Sequence, residues 1–152
     1  MNEIIPLKIV RINDEFMDIP LPEYATSGSS GLDIRAAVID PVVLGIGKFA
    51  LIPTNLIFEI PVGYEIQVRP RSGLAIKHGV TVLNTPGTID SDYRGELKII
   101  LINLGNAEFV INRGDRIAQL VVSRVYHAQI LPSDSFNDTD RSSGGFGSSG
   151  IN

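Results

Sequence analysis

Residues 84–96 have the sequence Asn84-Thr85-Pro86-Gly87-Thr88-Ile89-Asp90-Ser91-Asp92-Tyr93-Arg94-Gly95-Glu96, and they lie between two apolar runs at residues 80–83 and 97–102. Both runs are rich in β-branched residues, which favour strands. Pro86 fixes one backbone dihedral angle, and Gly87 tolerates a positive φ. The pattern therefore predicts a rigid, tight turn that joins two strands and can be approached closely from outside.

The polar residues of this stretch are candidates for chemistry. Asp90 can act as a general base on a water molecule if its side chain points inwards from the hairpin. Tyr93 can stack on a ring or a sugar, and the Asn84 amide can pair with the edge of a base because it both donates and accepts hydrogen bonds. The alternative is a plain β-hairpin, since Asp and Asn are common turn residues.

The composition indicates one all-β domain. The chain has 152 residues, of which 43% are hydrophobic, and it contains 15 Gly and 9 Pro with few helical patterns. Between residues 48 and 69, short apolar runs alternate with Pro and Gly turns, which is typical of a β-sandwich or β-barrel. The sequence thus predicts a single β domain with a sizeable core.

Charge and cysteine content exclude several classes of function. There is no Cys, so disulfides and thiolate metal sites are ruled out, and two His do not favour a His-based metal site. A net charge of −4 argues against broad binding to a nucleic-acid backbone. No apolar run is long enough to cross a bilayer, and no signal-peptide pattern follows Met1. These features favour a cytoplasmic protein without a membrane partner.

A candidate anion site lies at residues 69–75, where two Arg, a Ser and a Gly follow a predicted strand. The planar guanidinium groups of Arg suit phosphate oxygens, and Ser72 and the Gly73 amide can add donors. Residues 74–78 form a plausible helical turn that ends at Gly79, and the start of this turn further favours an anion. The alternative is a surface pair of Arg side chains beside a turn.

Two polar residues stand out within predicted strands. Asp33 alternates with apolar residues in the run 32–38, which indicates a half-buried strand with a carboxylate on its other face. Gln119 lies in the mostly apolar run 116–125, which is predicted to be buried on both sides. A buried amide needs hydrogen-bond partners, and these can be structural or belong to a ligand.

The composition changes after Pro132. Residues 133–152 are rich in Ser, Gly and Asp, which predicts a flexible tail. Within it, residues 141–150 combine Arg141, several hydroxyl groups, glycines and Phe146, a set that can wrap a phosphate and cap a ring without matching a P-loop. The alternative is a solvated linker.

Taken together, five stretches of the sequence resemble the trimeric dUTP pyrophosphatase (dUTPase) family, in the family's order and over residues 31–150. They are Gly31-Leu32-Asp33-Ile34-Arg35-Ala36, Arg69-Pro70-Arg71-Ser72-Gly73-Leu74-Ala75, Asn84 to Gly95, Gly114-Asp115-Arg116-Ile117-Ala118-Gln119-Leu120 and Arg141 to Gly150.

The resemblance implies an all-β fold and an enzymatic activity. The expected fold is a jelly-roll-like, distorted β-barrel over residues 1–132 with one short helix, followed by a flexible Gly/Ser-rich arm at residues 133–152 that closes over the active site. The expected assembly is a homotrimer with three active sites at subunit interfaces. Each site would hydrolyse dUTP to dUMP and pyrophosphate with Mg²⁺ on the triphosphate, which limits uracil incorporation into DNA and supplies dUMP for thymidylate synthesis.

The resemblance also assigns roles to individual residues. Asp90 would deprotonate the attacking water, Tyr93 would lie under the deoxyribose and leave no room for a 2′-hydroxyl, and Asp33 would hold magnesium through water. The remaining residues are expected to bind the substrate. The residues expected to bind uracil are Asn84, Gly87, Thr88, Ile89 and Phe146. Those expected to bind the phosphates are Arg71, Ser72, Gly73, Gln119 and Arg141. Lys98 and Gly147 are also expected to contact the substrate.

Two alternatives and one departure accompany this resemblance. The related dCTP deaminases are expected to share the fold, but they use a Glu base and lack the glycine-rich tail, so Asp90 and residues 141–150 argue against them. A regulatory protein that keeps the fold and binds a partner is the other alternative, and intact motifs argue against a purely regulatory role. The departure is Ser142, where many family members have Gly, and the added Cβ would bear on the affinity of the tail for phosphate.

Overall fold

The computed structural model describes residues 4–145, which fold mainly into β-sheets with one α-helix. A short 3-10 turn, Asp14–Phe16, follows the first strand. The helix, α1, spans Ser72–His78. The strands are β1 (Lys8–Arg11), β2 (Glu23–Tyr24), β3 (Leu32–Arg35), β4 (Val42–Leu44), β5 (Phe49–Pro53), β6 (Leu56–Glu59), β7 (Tyr64–Arg69), β8 (Val80–Val82), β9 (Gly87–Ile89), β10 (Lys98–Asn103), β11 (Phe109–Ile111) and β12 (Arg116–Arg124).

The strands form four antiparallel sheets. The largest has the order β2-β3-β12-β7-β9, a second has the order β5-β10-β8, and β1-β6 and β4-β11 form two-stranded pairs. Over residues 4–145, hydrogen bonding does not close these sheets into a continuous barrel. The predicted all-β class is confirmed, and the open sheets around a shared core correspond to the distorted, jelly-roll-like form of the prediction.

Side chains alternate between the two faces of each strand, so the sheet has a core face and an outer face. In the five-stranded sheet, Leu32 pairs with Leu120, and Leu120 pairs with Val68, and all three side chains are buried. The next row holds Asp33 and Gln119, which face away from this core because successive side chains alternate. The expectation that the strand around Gln119 is buried on both sides is therefore wrong, since one face is only partly covered.

The connection between β8 and β10 differs from the predicted tight turn. The two strands do pair, with Val82 opposite Leu101, but the connecting segment contains β9, which crosses to the other sheet and pairs with β7. Gly87 lies so close to β7 that a Cβ on it would come within 3.1 Å of Val68 Cβ. Pairing with β7 thus replaces the simple hairpin, because the absence of a side chain at residue 87 permits this approach.

Other boundaries shift by a few residues. The apolar run at residues 4–12 predicts a first strand, and Pro6 within it indicates an edge position. The strand begins at Lys8, and among the described residues it pairs only with β6, as an edge strand does. Helix α1 begins at Ser72, two residues before its predicted start at residue 74, and ends as expected at Gly79, whose φ of 68° is left-handed. The strands β2 and β4 were not predicted from the sequence.

Beyond β12 the described chain has neither helix nor strand up to residue 145, and the side chains of residues 126–143 are exposed. The expected boundary at residue 132, between a β domain and an arm, stays a prediction. In the part of the chain that the structure describes, no helix is long and apolar enough to span a membrane.

An ion pair connects the first turn to the loop before β12. Arg113 donates to both carboxylate oxygens of Asp18, at 2.6 and 3.0 Å, and its guanidinium carbon lies 4.4 Å from the centre of the Phe16 ring. The hydrogen bond from Arg113 lowers the pKa of Asp18 below its usual range. A lowered pKa means that the native state favours the ionised carboxylate.

We therefore expect Asp18→Asn to lower the melting temperature slightly at neutral pH, by about 2 °C or less, because the pair is solvent-exposed. The stabilisation by Asp18 is present above the pKa of the unfolded state and is lost as pH falls through the lowered pKa of the folded state. Thermal melts of the wild type and the variant from pH 7 to pH 3 should converge at the acid end. A difference that stays constant over this range would contradict the assignment.

Candidate active site

A polar cleft of about 490 Å³ lies where β3, β12 and the start of α1 meet. Pairing of β3 with β12 sets Asp33 opposite Gln119 on the outer face, and Ser72 and Gly73 begin α1 at the end of β7. The residues that line this polar cleft are Ala25, Ser29, Ser30, Gly31, Asp33, Arg71, Ser72, Gly73, Arg116 and Gln119.

Two guanidinium groups share one carboxylate in the polar cleft. Asp33 Oδ1 lies 3.2 Å from Arg71 Nε, and Asp33 Oδ2 lies 3.1 Å from Arg116 Nη1. Arg71 Nη1 also donates to the Arg116 carbonyl oxygen at 3.0 Å. The cluster carries one net positive charge, and its Arg side chains are held in place, so it suits an anion that accepts several hydrogen bonds.

Gln119 holds the chain just before Arg71. Its Nε2 donates to the Pro70 carbonyl oxygen at 2.9 Å. On the other side, a Cβ on Gly31 would come within 2.6 Å of Gln119 Oε1, so only glycine leaves room for this side chain. The partner of the Gln119 amide is therefore structural in this conformation, and its second amide hydrogen can still serve a ligand.

A second cleft, of about 400 Å³, lies against β10 and the segment after β9, and we call it the Tyr93 cleft. The Tyr93 ring is 45% exposed, and its hydroxyl donates to the Glu96 carbonyl oxygen at 3.1 Å. Lys98 Nζ lies 3.4 Å from Glu96 Oε2. The lining consists of Leu51, Ile89, Tyr93, Glu96, Lys98 and Ile100.

Asp90 and Tyr93 belong to one compact turn. The Tyr93 amide donates to the Asp90 carbonyl oxygen at 3.2 Å, and Arg94 Nη1 donates to the carbonyl oxygens of Ser91 and Tyr93 at 2.7 and 2.8 Å. The Asp90 side chain is exposed. The turn therefore presents both a carboxylate and an aromatic ring to solvent.

The remaining residues on the expected uracil side lie around β9. Asn84 and Thr88 are exposed, whereas Gly87 is buried. The Asn84 amide nitrogen lies near Gly87, only 3.1 Å from where a Cβ on that glycine would be. Backbone groups of β9 and the Asn84 amide thus lie close together, which is an arrangement that can recognise the edge of a planar base.

Two clefts hold eight of the candidate residues, whereas Asn84, Gly87, Thr88, Asp90 and Arg141 line neither of them. The polar cleft holds Asp33, Arg71, Ser72, Gly73 and Gln119, and the Tyr93 cleft holds Ile89, Tyr93 and Lys98. Neither cleft is lined by a residue of the other. The polar cleft is formed mainly by β3, β12 and the start of α1, and the Tyr93 cleft by β5, β9, β10 and the loop between β9 and β10, so the two groups do not share one cavity.

The tail contributes one described turn. Arg141 Nε donates to the Gly144 carbonyl oxygen at 2.7 Å, and the Ser142 amide donates to the Thr139 carbonyl oxygen at 2.9 Å. Ser142 has a φ of 43°, a left-handed conformation that glycine adopts without strain, so the departure at this position has a backbone cost. The expected ligand-binding residues Phe146 and Gly147 lie outside the described residues.

Sequence reasoning missed two charged residues and one glycine. Arg116 shares Asp33 with Arg71, Glu96 accepts hydrogen bonds from Tyr93 and from the Asn55 amide, and Gly31 makes room for Gln119. The available signal for Arg116 was a cation at the start of an apolar strand. No comparable signal existed for Glu96, because its partners depend on how the loop after β9 folds.

The chemistry of Asp33 limits how a metal can bind. Both carboxylate oxygens already bond to guanidinium groups, and residues 4–145 contain no group of three or more His, Cys, Asp or Glu side chains that could hold a metal ion. Mg²⁺ commonly binds through one or two carboxylates, water and the phosphates of a substrate. The residues present therefore fit a magnesium ion that is carried mainly by a polyphosphate.

Comparison with known proteins gives a consistent result. Residues 17–150 match the dUTPase family model. The chain is 59% identical to the deoxyuridine 5′-triphosphate nucleotidohydrolase of Treponema denticola, over 86% of this chain and 91% of that protein. It is 54% identical to the protein of the same name from Roseobacter denitrificans, over 97% of each chain. A solved structure of the G164S mutant of the Staphylococcus bacteriophage 80alpha dUTPase with dUpNHpp is similar to it, with a TM-score of 0.84 and 25% identity over 96% of this chain and 99% of that one.

We expect the polar cleft to bind inorganic tripolyphosphate and to depend on Arg71. Arg71→Ala should weaken binding by at least about tenfold, because a hydrogen bond to a charged group is worth about 1.5–3 kcal/mol. Arg71→Lys should give an intermediate loss, since it keeps the charge without the planar fork of donors. Isothermal titration calorimetry measures these affinities.

The matched control is Arg113→Ala, which removes the same charge from a side chain that pairs with Asp18 outside the polar cleft. Its affinity for tripolyphosphate should equal that of the wild type within about twofold. Equal losses for Arg71→Ala and Arg113→Ala would show that only net charge matters and would contradict a specific role for Arg71.

Proposed function

Because the chain belongs to the dUTPase family, we propose that it hydrolyses dUTP to dUMP and pyrophosphate. The observation that carries this proposal is that candidate residues line two separate clefts of different chemistry. A cationic polar cleft suits the triphosphate, and the turn from Asp90 to Tyr93 carries an exposed carboxylate together with an aromatic ring that lines the Tyr93 cleft.

In this reaction Asp90 orients a water molecule and takes its proton as the water attacks the α-phosphorus. The bond from the α-phosphorus to the oxygen that bridges to the β-phosphate breaks, and pyrophosphate leaves. Positioning and charge neutralisation supply most of the catalysis in phosphoryl transfer. The exposed Asp90 carboxylate and the fixed turn that carries it support this role.

The nucleoside is selected by groups around β9. The Asn84 amide and the backbone of Gly87, Thr88 and Ile89 pair with the edge of uracil, in a space too narrow for the C5 methyl group of thymine. Tyr93 lies under the deoxyribose and excludes a 2′-hydroxyl. The half-exposed ring of Tyr93 on the wall of its cleft supports this arrangement.

The phosphates bind to Arg71, Ser72, Gly73 and Gln119 of the polar cleft, and Arg141 of the tail joins them. Among these, the ion pair of Arg71 with Asp33 supports a guanidinium that is preorganised for phosphate oxygens. Lys98 contacts the substrate from the Tyr93 cleft, where it lies beside Glu96. Phe146, which lies outside the described residues, closes over the uracil, and Gly147 also binds the substrate. Closure of the arm at residues 133–152 excludes bulk water from the site.

Asp33 would hold a magnesium ion through water, because it is a single carboxylate that borders the phosphate-binding residues. The ion would supply charge neutralisation at the triphosphate. In the structure the two oxygens of Asp33 accept from Arg71 and Arg116.

The working enzyme is a cytoplasmic homotrimer with active sites at its subunit interfaces. Support comes from the separation of the two clefts, since an interface can bring the Tyr93 cleft of one subunit towards the polar cleft of another. Phe49 and Leu51 of β5 are 66% and 57% exposed, and an assembly gains free energy by burying such side chains.

The first test is pyrophosphate release from dUTP, with dTTP, dCTP and UTP in parallel and EDTA as the control. We expect release from dUTP alone and its loss with EDTA. Ammonia release from dCTP would indicate a deaminase instead. If no nucleotide is hydrolysed, dUTPase activity is refuted, and capture of a partner protein that dUTP displaces would then indicate a regulatory role.

The second test is Asp90→Asn. We expect turnover to fall by about a hundred- to ten-thousandfold, which is the usual contribution of a general base, while dUTP binding stays within a few-fold of the wild type. Single-turnover kinetics and calorimetric binding of dUTP separate the two effects. Asp92→Asn is the matched control, since it removes a carboxylate from the same turn, and it should retain most of the activity. Retained turnover in Asp90→Asn would refute Asp90 as the base.

A further inference from the structure

The phenol of Tyr93 lies directly over Gly95. A Cβ on Gly95 would come within 2.3 Å of the Tyr93 hydroxyl oxygen, 2.5 Å of Cζ and 2.9 Å of Cε2. Non-bonded contacts of a Cβ atom are essentially never this short in proteins. Any side chain at residue 95 therefore requires neighbouring atoms to shift. The Tyr93 ring occupies the space that a side chain at residue 95 would fill.

The backbone around Gly95 is anchored on both sides. The Leu97 amide donates to the Leu56 carbonyl oxygen at 2.9 Å, and Glu96 Oε1 accepts from the Asn55 amide at 2.9 Å. On the other side, the Tyr93 amide donates to the Asp90 carbonyl oxygen. The backbone of residues 93–97 is therefore held by the β5–β6 turn and by its own turn.

The phenol is the part that can yield. It is the far end of a side chain, it is 45% exposed, and one hydrogen bond at 3.1 Å connects its hydroxyl to the Glu96 carbonyl oxygen. Gly95 does not have a positive φ, so an alanine can adopt its backbone conformation without strain. The absence of a Cβ at residue 95 therefore makes room for the Tyr93 ring, and the backbone conformation does not require glycine.

We propose that Gly95 is a positioning residue for Tyr93 and through it determines discrimination between deoxyribose and ribose. This inference rests on the proposed function, in which the Tyr93 ring lies under the sugar. A side chain at residue 95 displaces the ring from its place on the wall of the Tyr93 cleft. The space beside the sugar changes, while Asp90 and the polar cleft keep their places.

Gly95→Ala tests this through kcat and KM for dUTP and UTP. We expect the ratio of kcat/KM for dUTP to that for UTP to fall at least about tenfold, mainly through a lower KM for UTP because the displaced ring no longer excludes the 2′-hydroxyl, with kcat for dUTP within about threefold of the wild type. Gly28→Ala is the matched control, because a Cβ there meets nothing within 4 Å and Gly28 has no positive φ. It should leave both substrates unaffected.

A double-mutant cycle with Tyr93→Ala separates ring positioning from a general effect on the loop. If Gly95 acts through Tyr93, adding Gly95→Ala to Tyr93→Ala should change the dUTP/UTP ratio by less than about twofold. An equal loss in both backgrounds, or an unchanged ratio in Gly95→Ala alone, would overturn the inference.

Folding gives a second measurement. If Gly95→Ala fails to fold but the double variant folds, the clash lies with the ring and the inference is supported. If both fail, residue 95 serves the backbone and the inference is overturned. The wild-type assay keeps the two proposals apart, since failure of wild-type dUTP hydrolysis counts against the proposed function, whereas a normal wild type with an unaltered Gly95→Ala counts only against Gly95.

Discussion

The pairing of β7 with both β12 and β9 is the constraint on which the rest of the structure depends. This one strand sets Arg69 opposite Gln119 on one side and Val68 opposite Gly87 on the other. The same registers bury Leu120 while Gln119 faces outwards, because side chains alternate along a strand. The same strand registers therefore determine which side chains form the core and which form the site. A shift of the register by one residue would turn the core side chains outwards and the site side chains inwards.

The two clefts differ in how their side chains are held. In the polar cleft, charge organises the site, since Asp33 fixes the directions of two guanidinium groups that would otherwise repel each other. In the Tyr93 cleft, the tyrosine ring is held by a hydrogen bond to the Glu96 carbonyl oxygen and by close packing against Gly95, which has no side chain. Salt should weaken the first kind of organisation more than the second.

Sequence patterns were sufficient to predict structural features that depend on local conformation or on the periodic alternation of side chains. Alternation predicted the outward-facing Asp33, and Gly79 marked the end of α1. They failed at β9, which contains only three residues and derives its strand character from non-local pairing with β7. The roles of Arg116 and Glu96 were missed for the same reason, since each depends on partners that only folding brings near.

At two glycines described above, a substitution should affect substrate recognition more than folding. Gly31 and Gly95 each lie against the end of a side chain that belongs to the candidate site, Gln119 Oε1 and the Tyr93 hydroxyl, and neither has a left-handed backbone. A methyl group at residue 95 meets the movable end of the Tyr93 side chain, whereas one at residue 31 also lies 3.1 Å from Gln119 Cβ, and in neither case is a core residue among the nearest atoms. Genetic or engineering screens that select for expression and solubility would pass such variants, and only an assay of substrate choice would reveal them.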